Sequence, residues 1–277
     1  MVAPFPEVPS RTVVSRDGTP IAVFSAGAGR ALVLVHGTTG DHRTWRVVGP
    51  SLAERHALHA IDRRGRGDSG DAPGYAIERE LEDVAAVAEA VAAGTGAPVG
   101  VMGHSLGGRI ALGASLRTAA VGRVVAIEGA PTADPARPRS SDAGLAARLR
   151  ADLAAGDLEG LLARFMVEGT GMPREDLERF RADPVWPLRV RAAPTIVREL
   201  EAAETDPAVS LDALGAVRVP VLQVAGSASP AVFRAGAERL AERLVRGSLV
   251  VIDGARHAPH HSHPAQLIAA VEAFLGS

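Results

Sequence analysis

The 277-residue chain contains no cysteine. Disulfide bonds, thiolate metal ligands and a cysteine nucleophile are therefore excluded, and the composition fits a reducing compartment. Lysine is absent as well, so all 30 basic residues are arginine, which we interpret as a coding bias. No apolar run approaches the roughly 20 residues that span a bilayer, and residues 1–10 lack the apolar core of a secretory signal. We therefore expect a cytoplasmic protein that does not interact with membranes.

A large excess of charge of one sign is also lacking. The 30 basic residues stand against 32 acidic ones, so neither nucleic acid nor an anionic membrane surface is an expected partner. Apolar residues make up 47% of the chain, enough for a sizeable core. The length suits one large α/β domain with an insertion, and the oligomeric state stays open.

Strand and helix patterns alternate along most of the chain. An Asp17-Gly18 turn joins apolar runs at 12–15 and 21–25 and predicts an antiparallel hairpin. Apolar runs then predict six strands, at 31–35, 57–61, 99–102, 123–128, 219–225 and 248–252. Amphipathic patterns predict helices between and after them, at 43–54, 77–93, 106–117, 230–244 and 263–275. This alternation predicts a doubly wound, mostly parallel α/β sheet of about eight strands with flanking helices.

The alternation stops at Gly129-Ala130-Pro131, where a helical segment begins. Four helix-like patterns follow without an intervening strand, at 142–155, 157–168, 173–182 and 189–203. We therefore expect a core formed by residues 1–130 and 206–277, with residues 131–205 inserted as a helical cap.

The motif with the most chemical information is Gly103-His104-Ser105-Leu106-Gly107. An apolar strand precedes this G-x-S-x-G sequence and a helix-forming run follows it, as a nucleophile elbow requires. Glycines two positions from the serine remove side chains that would obstruct the strained turn. The alternative is an ordinary glycine-rich turn that opens a helix.

Three further segments occur in the order that accompanies such an elbow. They are the strand that ends in His36-Gly37-Thr38, the Asp62–Gly70 loop, and the strand that leads to Asp253-Gly254-Ala255-Arg256-His257. Together with the elbow they resemble the α/β-hydrolase fold family, in its serine esterase and lipase-like form with a helical cap, over nearly the whole chain.

The resemblance implies roles for individual residues. Ser105 is the expected nucleophile and His257 the expected base, because a serine hydroxyl is a poor nucleophile without a positioned base. The backbone N–H groups of Thr38 and Leu106 are the expected oxyanion hole, while His36 is expected to order its loop. His260, His261 and His263 lie close to His257 without carboxylates at a recognised ligand spacing, so neither a metal nor another cofactor is predicted.

The acid departs from the usual pattern of the family. The acid commonly follows the strand that here ends at Gly226, but Ala228 occupies the expected position. Some members carry the acid at the end of the strand after the nucleophile helix, where this chain has Glu128. Glu128 is therefore the expected acid, and pairing with an arginine or capping of a helix is its alternative role.

The Asp62–Gly70 loop is rich in arginine and glycine, which suggests a phosphate cradle. It lacks the Gly-Lys-Ser/Thr ending of a P-loop. We therefore expect a structural turn in which arginines pair with carboxylates.

We expect the cap to cover the serine and to select an apolar acyl or alkyl group. The predicted substrate-binding residues are His104, Phe165, Met166 and Trp186, although packing of the cap onto the core explains apolar residues at helical spacing equally well.

The predicted function is that of a serine hydrolase with a Ser-His-Glu triad, acting on a carboxylic ester, lactone or thioester of a small molecule through an acyl-enzyme. Two alternatives remain. One is a lyase, cyclase or perhydrolase that uses the same residues, since fold does not fix reaction. The other is a ligand-binding protein with a degenerate site, which the missing acid at Ala228 would explain.

Overall fold

The structure, a computed structural model, describes residues 5–132 and 140–276. Within these residues it has eight strands, which are β1 (Arg11–Val14), β2 (Pro20–Ala26), β3 (Arg30–Val35), β4 (His56–Ile61), β5 (Val99–His104), β6 (Val121–Ile127), β7 (Val221–Gly226) and β8 (Gly247–Ile252). They form one sheet in the order β1-β2-β4-β3-β5-β6-β7-β8. β2 pairs antiparallel with both β1 and β4, and all other pairs are parallel. The predicted mostly parallel sheet of eight strands is confirmed.

Twelve α-helices lie within the described residues: α1 (Gly49–Ala53), α2 (Ile77–Thr95), α3 (Leu106–Ala114), α4 (Ser140–Ala154), α5 (Leu158–Arg164), α6 (Arg174–Arg181), α7 (Trp186–Ala192), α8 (Ile196–Thr205), α9 (Leu211–Gly215), α10 (Ala231–Arg243), α11 (Pro259–Ser262) and α12 (Pro264–Gly276). None of these described helices has both the length and the apolar character needed to cross a membrane.

Helices cover both faces of the sheet because the side chains of each strand alternate between them. In β3, Val33 and Val35 join the apolar cluster that contains residues of α2, α3 and α10. Leu32 and Leu34 of the same strand join a second cluster that contains residues of α1 and α12. This two-sided burial is the doubly wound arrangement that the alternating sequence pattern predicts.

The segment between β6 and β7 is helical in the described residues and forms its own apolar cluster. Leu149, Leu161, Phe165 and Ile196 are buried there, on α4, α5, the turn after α5, and α8. The division into a core and a cap at residues 131–205 stays a prediction. Residues 133–139 of that cap, together with 1–4 and 277 of the core, lie outside the described part of the chain.

Two helices predicted from the sequence are interrupted. In the predicted helix 43–54, a 3-10 turn at His42–Trp45 precedes α1, and Pro50 is accommodated in the first turn of α1. The predicted helix 189–203 is divided by a 3-10 turn at Ala193–Thr195. That turn contains Pro194, which has no N–H to donate and whose ring clashes with the carbonyl four residues earlier in a continuous helix.

Candidate active site

Ser105 lies between β5 and α3 in a backbone conformation that few non-glycine residues adopt, with φ 53° and ψ −125°. The segments around Ser105 pack so closely that positions 103 and 107 have no room for a side chain. A Cβ atom at Gly103 would lie 2.2 Å from the carbonyl oxygen of Gly107, and one at Gly107 would lie 2.3 Å from that of Val35. The G-x-S-x-G sequence therefore allows helix α3 to approach β3 and β5 closely, and this approach holds Ser105 in the strained conformation.

The loop after β3 is packed against this turn. A Cβ at Gly37 would lie only 3.1 Å from Cβ of Ser105. Thr38, the next residue, is buried and lines the same cavities as Ser105. Within the described residues, no hydrogen bond is formed by the backbone N–H of Thr38 or of Leu106, so both can donate to a bound group.

His36 holds this loop in place, as expected. It is fully buried, its Nδ1 donates to the carbonyl of Gly37 over 2.8 Å, and its Nε2 accepts from the backbone N–H of Arg63 over 3.0 Å. Burial, with a further contribution from the charge of Arg63, holds the pKa of His36 well below its ordinary value. A neutral imidazole with one donor and one acceptor satisfies both contacts.

His257 and Glu128 are joined by a hydrogen bond of 2.8 Å between Nδ1 and Oε2. His257 follows β8 and Glu128 follows β6, so the two side chains meet at the carboxyl edge of the sheet. Glu128 is buried, and its φ of 49° is rare for a residue with a side chain. The sequence-based prediction that these two residues meet agrees with this geometry.

The other carboxylate oxygen of Glu128 is held by the loop after β7. Oε1 accepts hydrogen bonds from the backbone N–H of Gly226 over 2.7 Å and from the hydroxyl of Ser229 over 2.6 Å. Ala228, at the position where the family commonly has the acid, lies between these two donors in the sequence. The loop therefore donates to the carboxylate of Glu128 instead of carrying one. Sequence reasoning missed Ser229, although hydroxyls in place of the usual acid were a usable signal.

Two further residues fix His257. The ring of Phe233 lies 4.4 Å from its imidazole ring, centroid to centroid. Nε2 of His104 donates to the backbone carbonyl of His257 over 2.8 Å. Burial, followed by the charge of His257, keeps the pKa of His104 well below its ordinary value. His104, predicted as a substrate-binding residue, thus also positions the backbone of His257, and Phe233 was missed by sequence reasoning.

Two cavities meet at Ser105. The larger has a volume of about 450 Å³ and the smaller about 120 Å³. Both are lined by Thr38, Ser105, Phe165, Thr170 and His257. Leu106 and Glu128 also line the smaller cavity, so the three predicted catalytic residues and the two predicted oxyanion donors all line it.

Three of the four predicted substrate-binding residues line the larger cavity, and one does not. Phe165, Met166 and His104 line the larger cavity. Trp186 lines neither of the two cavities, which corrects its predicted role. Its indole ring packs edge-on against Phe180, 5.4 Å between centroids, with the guanidinium of Arg181 above the ring. Trp186 therefore holds helices α6 and α7 together.

The arginine-rich loop after β4 forms the expected ion pairs. Arg63 contacts Glu80 and Glu199, Arg66 contacts Glu199, and all four side chains are buried. Because Glu199 lies on α8, this network joins the core to the helical segment. In the described part of the chain, no three histidine, aspartate or glutamate side chains are grouped closely enough to hold a metal ion.

Comparison with known proteins identifies the family. Residues 32–271 match the model of the alpha/beta hydrolase family. A pimeloyl-acyl-carrier-protein methyl ester esterase of Aeromonas hydrophila is 31% identical, over 92% of this chain and 99% of that protein. A similar enzyme of Stenotrophomonas maltophilia is 29% identical, over 90% of this chain and 94% of that protein.

Solved structures agree. An alpha/beta hydrolase from Sphaerobacter thermophilus is 30% identical, with a TM-score of 0.79 over 96% of this chain and all of that one. An esterase from Thermogutta terrifontis, 21% identical, shares the fold with a TM-score of 0.71 over 96% of this chain and 97% of that one. The predicted class of ester-acting hydrolase agrees with these names, and the chain belongs to the alpha/beta hydrolase family.

Proposed function

We propose that this protein is a serine hydrolase that cleaves an ester-like bond, in a carboxylic ester, lactone or thioester, through an acyl-enzyme. The proposal depends above all on the hydrogen bond from His257 to Glu128, with both residues beside the cavity that contains Ser105. Relatives named as esterases support the ester as the bond that is cleaved.

In the proposed reaction, Oγ of Ser105 attacks the carbonyl carbon while Nε2 of His257 accepts its proton. Glu128 accepts a hydrogen bond from Nδ1 and stabilises the imidazolium that forms. The negative charge on the former carbonyl oxygen is stabilised by the N–H groups of Thr38 and Leu106. Collapse breaks the bond to the leaving alcohol, which takes the proton from Nε2.

The acyl group is then bonded to Ser105. A water molecule attacks the acyl carbon and gives its proton to Nε2 of His257. The bond to Oγ breaks, Ser105 recovers the proton, and the carboxylic acid leaves. The proposed reaction uses no cofactor, because His257 accepts and returns the proton in each step.

We further propose that residues 131–205 act as a cap that selects an apolar acyl or alkyl group of a small-molecule substrate. Phe165, Met166 and Thr170, all from this segment, line the cavity beside Ser105. An apolar wall next to the nucleophile favours a hydrocarbon chain through burial of its surface. The curated relatives are named for a methyl ester of an acyl chain, which fits such a cavity.

The alternative of a ligand-binding protein with a degenerate site depended on the missing acid at Ala228. A carboxylate from Glu128 takes that place at Nδ1 of His257, which removes the reason for preferring this alternative. A lyase, cyclase or perhydrolase with the same residues has no observation that favours it over hydrolysis.

Labelling with a fluorophosphonate tests the proposal directly, since only an activated serine reacts. The wild-type protein should be labelled, and so should the Ser115→Ala control, which removes a hydroxyl that donates to the carbonyl of Leu112 at the end of helix α3. Ser105→Ala should not be labelled and should lose about 10⁶-fold in kcat on an ester panel. Ester hydrolysis that survives Ser105→Ala within about tenfold contradicts the serine mechanism.

A further inference from the structure

Arg189 on helix α7 lines the 450 Å³ cavity that contains Ser105. Its Nη2 donates to the hydroxyl of Thr44 over 3.2 Å. In residues 5–132 and 140–276, no carboxylate oxygen lies within the 4.0 Å of an ion pair with its guanidinium. Most of the donors of this cation are therefore available to a molecule in the cavity.

The carboxylates in its neighbourhood already have partners. Oδ2 of Asp183 accepts from Arg46 over 2.7 Å, and its Oδ1 accepts from the backbone N–H of Val185 over 2.9 Å. Asp41 is bonded through both oxygens to Arg43, at 2.8 and 3.0 Å. Arg189 is therefore the cation that this group of charges leaves uncompensated.

Arg189 is partly buried, which makes the lack of a partner costly. Desolvation lowers the pKa of Arg189 to about 10, and the opposing influence of Asp41 does not offset it. A buried guanidinium is normally stabilised by a carboxylate or phosphate, whose planar or tetrahedral oxygens match its fork of N–H groups. An anionic group of a ligand would supply this stabilisation.

Two further cations line the cavity, Arg46 and Arg256. Arg46 is paired with Asp183 and Arg256 is exposed, so Arg189 is the partly buried cation of this wall that has no carboxylate partner in the described residues.

His104, His260 and His261 are buried or partly buried, and desolvation is the main reason that their pKa values are lowered, that of His261 to about 3. At neutral pH all three are uncharged and able to hydrogen bond with a ligand. Apolar side chains of Phe165, Met166, Met172 and Phe180 also line the cavity, and its remaining carboxylate, Asp176, is paired with Arg179.

We propose that Arg189 binds a carboxylate at the far end of the substrate's acyl chain, so that the enzyme prefers half-esters of dicarboxylic acids. The inference rests on the proposed function and gives it a substrate class. The apolar wall contacts the hydrocarbon chain, Ser105 attacks the ester at one end, and the guanidinium holds the free carboxylate at the other. The length of the acyl chain then determines whether the ester can reach Ser105 while the carboxylate binds Arg189.

The test compares two series of methyl esters of equal chain length. One series is monomethyl succinate, glutarate, adipate and pimelate, and the other is the matching neutral methyl alkanoates. Methanol release gives kcat/KM for each. We expect the wild-type enzyme to prefer the carboxylated ester of at least one chain length by about 30-fold, as a charge-assisted hydrogen bond gives. Equal kcat/KM values across the two series overturn the inference.

The variants are Arg189→Met, Arg189→Lys and, as a control on the same helix, Arg191→Met, whose side chain is exposed. Arg189→Met should abolish the preference for the carboxylated ester, and Arg189→Lys should retain part of it because the charge remains without the planar fork. Arg191→Met should keep the preference. An Arg189→Met enzyme that keeps the wild-type preference overturns the inference, as does equal loss on both series.

Binding separates this inference from the proposed function. Calorimetry measures the affinity of Ser105→Ala, which cannot form the acyl-enzyme, for monomethyl glutarate and for methyl pentanoate. Tighter binding of the carboxylated ester that disappears in Ser105→Ala/Arg189→Met supports the anion site even if the wild-type enzyme hydrolyses neither ester. Hydrolysis without any such difference in binding overturns the anion site and leaves the hydrolase intact.

Discussion

The hydroxyl of Ser229 donates a hydrogen bond of 2.6 Å to Oε1 of Glu128. Ser229 lies on the loop after β7, and Glu128 lies at the end of β6, the neighbouring strand. Glu128, the proposed acid, lies at the same edge of the sheet as the loop after β7 and within hydrogen-bonding distance of His257. This loop carries no carboxylate at Ala228, and it holds the carboxylate of Glu128 in position.

This contact predicts a positioning role for Ser229. Ser229→Ala leaves the N–H of Gly226 as the remaining described donor to Oε1, so the carboxylate is less restrained. We expect kcat to fall by about tenfold, the worth of one hydrogen bond to a charged group, with KM little changed and Ser229→Thr restoring the rate. Steady-state kinetics on a short ester measures the effect.

Ser227→Ala is the matched control, two residues away on the same loop. Its hydroxyl contacts Asp253 over 2.9 Å instead of Glu128. Its kcat should stay close to the wild-type value. Equal losses in Ser227→Ala and Ser229→Ala would mean that disturbance of the loop, rather than the hydrogen bond to Glu128, slows the reaction.

Glu128 itself should matter far more. Glu128→Gln keeps the size of the side chain but loses the charge that orients and stabilises the imidazolium of His257. We expect kcat to fall by up to about 10⁴-fold while the melting temperature shows that the fold persists. A carboxylate introduced by Ala228→Asp in the same protein should recover part of the loss, because it approaches from the loop that donates to Glu128. Unchanged activity in Glu128→Gln would indicate a Ser-His dyad.

The sheet and the order of the main motifs could be predicted from the sequence because both depend on local patterns. Short apolar runs predict the strands, and the glycines at 103 and 107 mark a turn whatever the rest of the chain does. The meeting of Glu128 with His257 could be predicted too, because strand ends share one edge of a parallel sheet.

Other parts of the site depend on packing between distant segments. The chain offers 30 arginines, and nothing local distinguishes Arg189 from the others. The fold pairs Asp41 with Arg43 and Asp183 with Arg46, and this arrangement leaves the guanidinium of Arg189 without a carboxylate in the described residues. Trp186 is the opposite case. Its ring is expected to line the cavity, but it packs between helices α6 and α7. Neither outcome has a signal in sequence spacing.

The buried network of Arg63, Arg66 and Glu199 should stabilise the protein. Burial alone would raise the pKa of Glu199, but the two arginine charges and the hydroxyl of Thr38 lower it. Glu199→Gln removes the charge and leaves the buried guanidinium of Arg66 without a carboxylate, while Arg63 keeps its contact with Glu80. We expect a loss of about 3–5 kcal/mol in the free energy of unfolding, measured by urea denaturation.

Glu201→Gln, on the same helix α8, is the control for that loss. Its carboxylate pairs with Arg150 across 2.5 Å, but both side chains are substantially exposed, at 43% and 57%. An exposed pair contributes about 1 kcal/mol or less, so the unfolding midpoint should change little. Similar losses of unfolding free energy in Glu199→Gln and Glu201→Gln would mean that the buried network stabilises the protein no more than an exposed ion pair does.

The neutral histidines predict how stability changes with pH. Burial holds the pKa values of His36, His104 and His260 well below the ordinary value of 6.5. The unfolded chain, in which these groups titrate near 6.5, therefore binds more protons than the folded protein below that pH. The free energy of unfolding should decrease as the pH falls from about 6.5, by about 1.4 kcal/mol per pH unit for each such histidine.

His260→Phe tests one of these contributions. His260 is 2% exposed and its ring packs against those of Trp45 and His104, so phenylalanine can fill the same space without a group that titrates. Urea denaturation at several pH values between about 6.5 and 5 gives the slope of unfolding free energy against pH. The slope for His260→Phe should be shallower by about one proton than the wild-type slope, because one fewer imidazole becomes charged on unfolding. Identical slopes would mean that His260 is already protonated in the folded protein, and the cavity wall would then carry a further positive charge besides its arginines.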